Sequence, residues 1–378
     1  MASTENSRIF LLGATGYTGG LVLAALLRRG ARPVLAGRNA TALAALAERH
    51  GGLDHVVVDA TQPASLQRHL RRGDALVTTV GPFERLGHPV AEAAAEVGAH
   101  YVDSTGEVGF VRAVRDRYDQ RARETGAVML PAFGYDYVPG ILAGTLAARR
   151  AGDAVRALDI GYFATGPLWR GISHGTRTTM RDGLTLPSPT WRGHRLVDER
   201  TASRVRGFDL RGHRKSAFLV SGTEVLFLPS DFPSLTELSV YNGWFPTLSR
   251  PLSLISAAAN TLVRLPGGRP LTDVLTLPLT WGPTGGPDTT ERARTRSYVV
   301  AVASTGTPGQ PPLAEVHLEG PNAYSLTGEL MAWAAESLVG RSGGTAGVVG
   351  PVEAFGLETL REACAGMGLA AVGRVLAG

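Results

Sequence analysis

The chain has 378 residues, enough for two domains with separate cores, and a net charge of +5. Its 44% hydrophobic and 19% charged content fits a soluble globular protein. Cys364 is the single cysteine, which excludes an intramolecular disulfide and a cysteine-ligated metal centre within one chain, and fits a reducing cytoplasm. Lys215 is the sole lysine among 38 basic residues, and this arginine preference beside abundant Ala and Gly reads as high-G+C coding bias. The charge falls in short pieces such as Arg28-Arg29, Arg71-Arg72 and Arg149-Arg150, with no basic stripe interleaved with aromatics. Nucleic acid is therefore not an expected partner, whereas an acidic protein surface is compatible. Residues 9–27 are apolar, but four glycines and two threonines interrupt them and no positive segment precedes them. Neither export nor a membrane span is expected, and the cytoplasm is the expected location.

In chain order, β-branched or apolar runs predict strands at 8–12, 33–36, 55–58, 75–80, 100–102 and 127–131. Helical patterns at 18–29, 40–50, 63–71, 87–97 and 108–125 alternate with them. This repeat predicts an α/β fold whose first part, residues 1–145, is a Rossmann-type doubly wound parallel sheet. After about residue 150 strands predominate, at 156–165, 204–210, 216–228, 236–242, 295–303 and 314–318, with helical patterns at 172–183 and 249–264. A second α+β domain built on a mixed sheet is expected over 146–320. Helices near 323–339 and 354–367 are expected to return to the first domain.

Residues 8–20 read RIFLLGATGYTGG, so Gly13, Gly16 and Gly19 follow a strand and open a helix. In that setting the first glycine permits the tight turn, the second lets a pyrophosphate approach the backbone, and the third lets helix and strand pack closely. Thr15, Tyr17 and Thr18 complete the candidate cradle. The second strand ends in AGRN, where NAD-specific sites carry an acidic residue; here Arg38 stands ready for a 2′-phosphate, and NADP(H) is the expected cofactor. Arg38 also reads as one more surface arginine. By topology Asp59, after the third strand, would face the adenine, and Val80, Gly81, Pro82 and Phe83, after the fourth, would lie beside the nicotinamide ribose.

The same glycine turn occurs in short-chain dehydrogenases, which need a Tyr-x-x-x-Lys pair. The residue four before Lys215 is Arg211, so that pair cannot exist here. No G-x-S-x-G elbow, H-E-x-x-H helix or metal-ligand histidine grouping is present, and no metal is expected.

Taken in order, GATGYTGG (13–20), AGRN (36–39), VGPF (80–83), YVDSTGE (101–107), PAFGYDYVPG (131–140), SHGT (173–176) and GVVGPVEAFGLETLREACAGMGL (347–369) carry a resemblance. They resemble the saccharopine dehydrogenase-like oxidoreductases, and within these the bacterial trans-acting enoyl reductases. Two departures concern the substrate region: AAEVGAHYVD lacks the family's usual cysteine, and Tyr137 replaces the serine of its aspartate-serine-valine-proline loop. The resemblance implies NADP(H) in the first domain and a mixed sheet over the active site.

Hydride transfer needs a group that stabilises or protonates the far end of the acceptor. Tyr135, Asp136 and Tyr137 follow the sixth strand at its carboxyl end, where ligands bind in open α/β sheets. One tyrosine is the expected donor and Asp136 the orienting residue; equally, Asp136 caps the next helix while the tyrosines pack. By resemblance His174, with Thr176 and Arg177, lies over the nicotinamide; the plainer reading is a helix-start histidine beside Ser173. Glu107 is expected to bond backbone amides. Three functions stay open: an NADPH-dependent reductase of a carrier-bound or coenzyme-bound enoyl thioester in polyketide or lipid biosynthesis, a saccharopine-type imine reductase of an amino-acid adduct, and a non-catalytic NADP-binding regulator. The first brings an acyl carrier protein as candidate partner, and the second would use Arg170, Arg177 and Arg181 for carboxylates. A homodimer is the candidate assembly.

Overall fold

Residues 7–166, 177, 181, 183, 185–263 and 285–372 are described in a computed structural model of the chain. They divide into two compact units, one of Met1–Val138 and Ala323–Met367, the other of Pro139–Asn322 and Gly368–Gly378.

The first unit is built on a parallel sheet of β1 (Ile9–Leu12), β2 (Val34–Gly37), β3 (His55–Val57), β4 (Ala75–Thr78), β5 (His100–Asp103), β6 (Val128–Leu130) and a late strand, β15 (Gly347–Val348). The order is β15-β6-β5-β4-β1-β2-β3, so the sequence of pairing reverses between β1 and β4. Strands β1, β4 and β5 are buried along their whole length, which is why they read as continuous apolar runs rather than alternating ones. The crossovers are α1 (Tyr17–Arg28), α2 (Ala40–Arg49), α3 (Pro63–Gln67), α4 (Phe83–Val97) and α5 (Val108–Thr125). Two differ from the predicted spans. Helix α3 stops at Gln67, and the following turn is held by Asp74, whose carboxylate accepts the amides of Arg8 and Arg71, both at 2.8 Å. Helix α4 starts four residues early, upstream of Pro89, because a carboxylate from another loop takes its first amides.

The second unit contains α6 (Val138–Ala151) from Pro139 onward and a mixed sheet. Its strands are β7 (Ala157–Thr165), β8 (Pro187–Arg192), β9 (Arg195–Arg200), β10 (Val205–Leu210), β11 (His213–Val220), β12 (Glu237–Asn242), β13 (Arg296–Ser304), β14 (Ala314–Gly320) and β16 (Ala370–Ala371). The main path is β10-β11-β12-β7-β13-β14-β16; β12 and β7 are parallel and the other pairs antiparallel. Phe163, Phe208 and Tyr241 stack edge to face in its core.

The predicted strand at 216–228 is corrected: it is β11 followed by a helix, α7 (Glu224–Asp231), because a short apolar run carries no period to separate the two. The β8–β9 hairpin was not predicted. Its turn, Gly193-His194, has positive φ at both residues (54° and 61°), the arrangement of a two-residue hairpin whose twist suits the strands.

Helices α8 (Ser249–Val263) and α9 (Thr289–Ala293) also belong to the second unit. In the first unit α10 (Ala323–Leu338) packs along α1, and Arg29 pairs with Glu329 and Glu336. The predicted helix over 354–367 is two helices, α11 (Pro351–Phe355) and α12 (Leu357–Gly366), divided at Gly356 with φ +79°. Among the described residues no helix is long and apolar enough to cross a membrane, and no group of His, Cys, Asp and Glu could hold a metal ion. The predicted helix at 172–183, including His174 and Thr176, lies almost entirely outside the described residues.

Candidate nucleotide-binding site

The glycine turn joins β1 to α1 at the carboxyl edge of the parallel sheet. Gly13 has φ +89° and its amide donates to the Ala36 carbonyl at 3.1 Å, tying the turn to β2. A Cβ on Gly13 would meet Thr79 Oγ1 at 2.8 Å and Val80 Cγ2 at 2.9 Å, so the turn is pressed against the end of β4. The Gly16 amide donates back to the Gly13 carbonyl at 2.9 Å. At Gly19 an added Cβ would collide with the Gly13 carbonyl, so only glycine lets α1 approach the turn this closely. Helix α1 has Gly16 as its N-cap, no side-chain cap and no acid in its first turn. Thr15 and Gly16 are exposed, and Tyr17 and Thr18 partly so. A helix N-terminus with no side-chain cap and no acid in its first turn suits a pyrophosphate, and these residues fit the dinucleotide implied by the sequence. The Tyr17 ring meets Tyr324 of α10 edge to face at 5.5 Å.

Arg38 is exposed at the end of β2, and the next residue, Asn39, caps α2 by accepting the Ala42 amide at 3.0 Å. Asp59 follows β3, and its oxygens accept from the Thr61 amide (2.9 Å), the Thr61 hydroxyl (2.7 Å) and Gln62 (3.1 Å). Those hydrogen bonds, with a smaller contribution from Arg38, hold its carboxyl below the usual range. Asp59 is therefore engaged within its own turn and lies within the electrostatic reach of Arg38.

After β4, Val80 is partly buried and Gly81 and Pro82 are exposed. The Phe83 side chain is buried in the core against Phe110, with ring centroids 5.7 Å apart. The Glu107 carboxylate accepts the amides of Phe83 and Glu84, each at 2.9 Å. The first amides of α4 are thus closed by a protein carboxylate, whereas α1 has no side-chain cap.

The loops after β5 and β6 are joined through Asp103, which the sequence reading quoted within YVDSTGE without assigning it a role. Its side chain is fully buried, and Oδ1 accepts the amides of Thr105 and Ala132, both at 2.8 Å. Burial pushes this carboxyl up to about 6, against the pull of the two amides and the nearby Tyr101 hydroxyl. The Tyr135 amide donates to Thr327 of α10 at 3.0 Å, and the Tyr137 hydroxyl donates to the Gly106 carbonyl at 3.0 Å. Both tyrosines are buried, whereas Asp136 between them is exposed. Its side chain reaches solvent, yet enough of the chain surrounds it that desolvation pushes the Asp136 carboxyl up to about 6.

The sole lysine, Lys215, stands on β11, and Arg211 occupies the preceding hairpin turn with φ +54°. They share no helix face, in line with the exclusion of a tyrosine-lysine pair.

Residues 9–130 match the family described as saccharopine dehydrogenase NADP binding domain. A trans-acting enoyl reductase of Mycobacterium ulcerans is 40% identical over 212 residues, which are 53% of this chain and 50% of that protein. A trans-acting enoyl reductase of Mycobacterium bovis is 34% identical over 208 residues, again 53% of this chain and 50% of the relative. The chain therefore spans about half the length of the curated relatives it matches. Among solved structures, apo saccharopine dehydrogenase (L-Glu forming) from Saccharomyces cerevisiae gives a TM-score of 0.61 at 11% identity, covering 98% of this chain and 100% of that one. Homospermidine synthase from Legionella pneumophila, solved with NAD, gives 0.59 at 12% identity, with 99% and 92% covered. At such identities the likeness is one of fold. With the parallel sheet and the reversal of strand order beside β1, the family match marks residues 9–130 as an NADP-binding domain.

Proposed function

We propose that the protein is an NADPH-dependent reductase acting on an enoyl thioester held by a coenzyme or an acyl carrier protein. The observation that carries this reading is the 40% identity to a trans-acting enoyl reductase over 212 residues, coupled to an NADP-binding domain. In this reading Gly13, Thr15, Gly16, Tyr17, Thr18 and Gly19 receive the pyrophosphate, and Arg38 pairs with the 2′-phosphate. The turn of partly buried Val80 and exposed Gly81 and Pro82 borders the nicotinamide ribose, with Phe83 fixing it from the core.

Bound NADPH supplies the hydride. The chain's part is to hold the thioester, to stabilise negative charge on its oxygen and to provide the proton for its α-carbon. Among the three loop residues Asp136 suits the last task best. It is exposed, and its raised pKa keeps a fraction protonated near neutrality. Tyr137, whose hydroxyl is engaged with the Gly106 carbonyl, positions the loop.

The test is NADPH consumption by the purified protein with a trans-2-enoyl thioester of coenzyme A, the same acyl group on an acyl carrier protein, and a 2-oxoacid plus amine mixture. Turnover of either thioester is expected. Turnover of the oxoacid-amine mixture alone would replace this reading with an imine reductase. NADPH binding without turnover of any of the three would leave the regulator.

A further inference from the structure

Three loops leave the carboxyl edge of the first sheet after β4, β5 and β6, and all three belong to one hydrogen-bond network. At its centre is Asp103, at the end of the middle strand. Oδ1 takes the Thr105 amide from its own loop and the Ala132 amide from the loop after β6. Its main-chain carbonyl takes the Phe133 amide at 2.7 Å. From Thr105 the network runs through Oγ1, which accepts the Glu107 amide at 3.0 Å, to the Glu107 carboxylate and the amides of Phe83 and Glu84 after β4. It closes where Tyr137, five residues beyond Ala132, donates its hydroxyl to Gly106. Ala132 has φ +58°, a conformation that an alanine holds only when its surroundings impose it, and the bond to Asp103 falls on that residue's own amide.

A buried carboxylate in an apolar sheet is costly unless hydrogen bonds compensate it, so the amides that Asp103 accepts are what hold it there. Here one oxygen accepts two amides from separate loops, while Oδ2 has no hydrogen-bond partner among the described residues. The bonds between the loops thus fall on Oδ1, while the second oxygen faces the neighbourhood of the Tyr101 hydroxyl.

We propose that Asp103 is a positioning residue for the reduction. Through Oδ1 it sets the Tyr135–Tyr137 loop and the Gly81–Phe83 turn in one geometry, so that donor and cofactor are held in register. This rests on the reductase reading above. The glycine turn and Arg38, which follow β1 and β2, receive none of these bonds. The Gly81–Phe83 turn borders only the nicotinamide end, so removing the acceptor should cost turnover far more than NADPH affinity.

The experiment compares Asp103→Asn and Asp103→Ala with wild type. Three readings are taken: kcat for the enoyl thioester, NADPH affinity by fluorescence titration, and hydrogen exchange at the Thr105 and Ala132 amides. The asparagine variant keeps an oxygen at Oδ1, so it should retain amide protection and hold kcat within about threefold, a change near 0.6 kcal/mol. The alanine variant should lose that protection and about 100-fold in kcat, the scale of a misplaced reacting group, with NADPH affinity changed less than threefold. An asparagine variant as slow as the alanine one, or an alanine variant with wild-type kcat, overturns the proposal. If the alanine chain fails to fold, the asparagine variant still decides: loss of protection or of kcat in it is fatal. Absence of thioester turnover in wild type would instead refute the reductase reading, and hydrogen exchange would still report whether Asp103 holds the two loops.

Discussion

Arg38 ends β2 with its guanidinium exposed, so its effect on cofactor choice can be read without disturbing the fold. Arg38→Ala is expected to weaken NADPH by about 10- to 100-fold, the range of a charge-assisted contact, and to leave NADH nearly unchanged. Equal loss for both cofactors in fluorescence titrations would remove the phosphate-pairing role. Asp136 has its carboxyl pushed up to about 6 by desolvation, and as proton donor it must be protonated. Thioester turnover should therefore fall as pH rises through about 6, and Asp136→Asn should be slow with that limb absent. A wild-type limb that persists in the asparagine variant would assign the proton to another group. The two tyrosines illustrate the limit of reading residues from sequence. Their type and place after β6 suggested a donor, but both are buried and the Tyr137 hydroxyl is engaged by Gly106, which no local pattern links to it.

Elements carry a different class of expectation. Helix α1 approaches the glycine turn so closely that a methyl at position 19 would strike the Gly13 carbonyl. Alanine is the better helix former by about 1 kcal/mol, whereas overpacking against rigid backbone costs about 1–3 kcal/mol. Gly19→Ala should therefore lower the melting temperature and NADPH affinity together; unchanged values in both would contradict the close approach. His100 ties strand β5 to its surroundings: Nδ1 accepts the Val128 amide at 3.1 Å, so Nε2 carries the proton and donates to the Arg341 carbonyl at 3.2 Å. Burial lowers its pKa from 6.5 to about 4. Between those values the unfolded chain takes up a proton that the folded one refuses. The stability it confers is present above pH 6.5 and falls by roughly 3 kcal/mol as pH drops to 4. Denaturant unfolding across this range should show that component in wild type and not in His100→Gln. Strand and helix boundaries of the first sheet were readable to within a residue or two where caps, glycines and apolar runs coincide, as at Asn39 before α2. The early start of α4 was not, because its first amides are satisfied by Glu107, which lies 23 residues beyond Glu84.

At the scale of the molecule, the first unit is discontinuous in sequence. Helix α10 buries Leu326, Leu330, Met331 and Leu338 completely, and β15 extends the sheet beyond β6. A chain ending at residue 322 should therefore lose cooperative unfolding of this unit as followed by circular dichroism and calorimetry; a sharp transition with intact NADPH binding would show that the late segment is dispensable. The parallel sheet, the glycine turn and the cofactor type follow from local information, since strand runs, helix periods and turn glycines are set by neighbouring residues. The union of Asp103 with Ala132, of Glu107 with α4 and of α10 with α1 follows from contacts between segments far apart in the chain. Such contacts leave no periodic trace in composition or spacing, because each needs only one suitably placed donor, acceptor or apolar face. The surroundings of Asp136 and the engaged hydroxyl of Tyr137 belong to this second class, which is why the loop could be located from the amino acids alone while the part played by each residue could not.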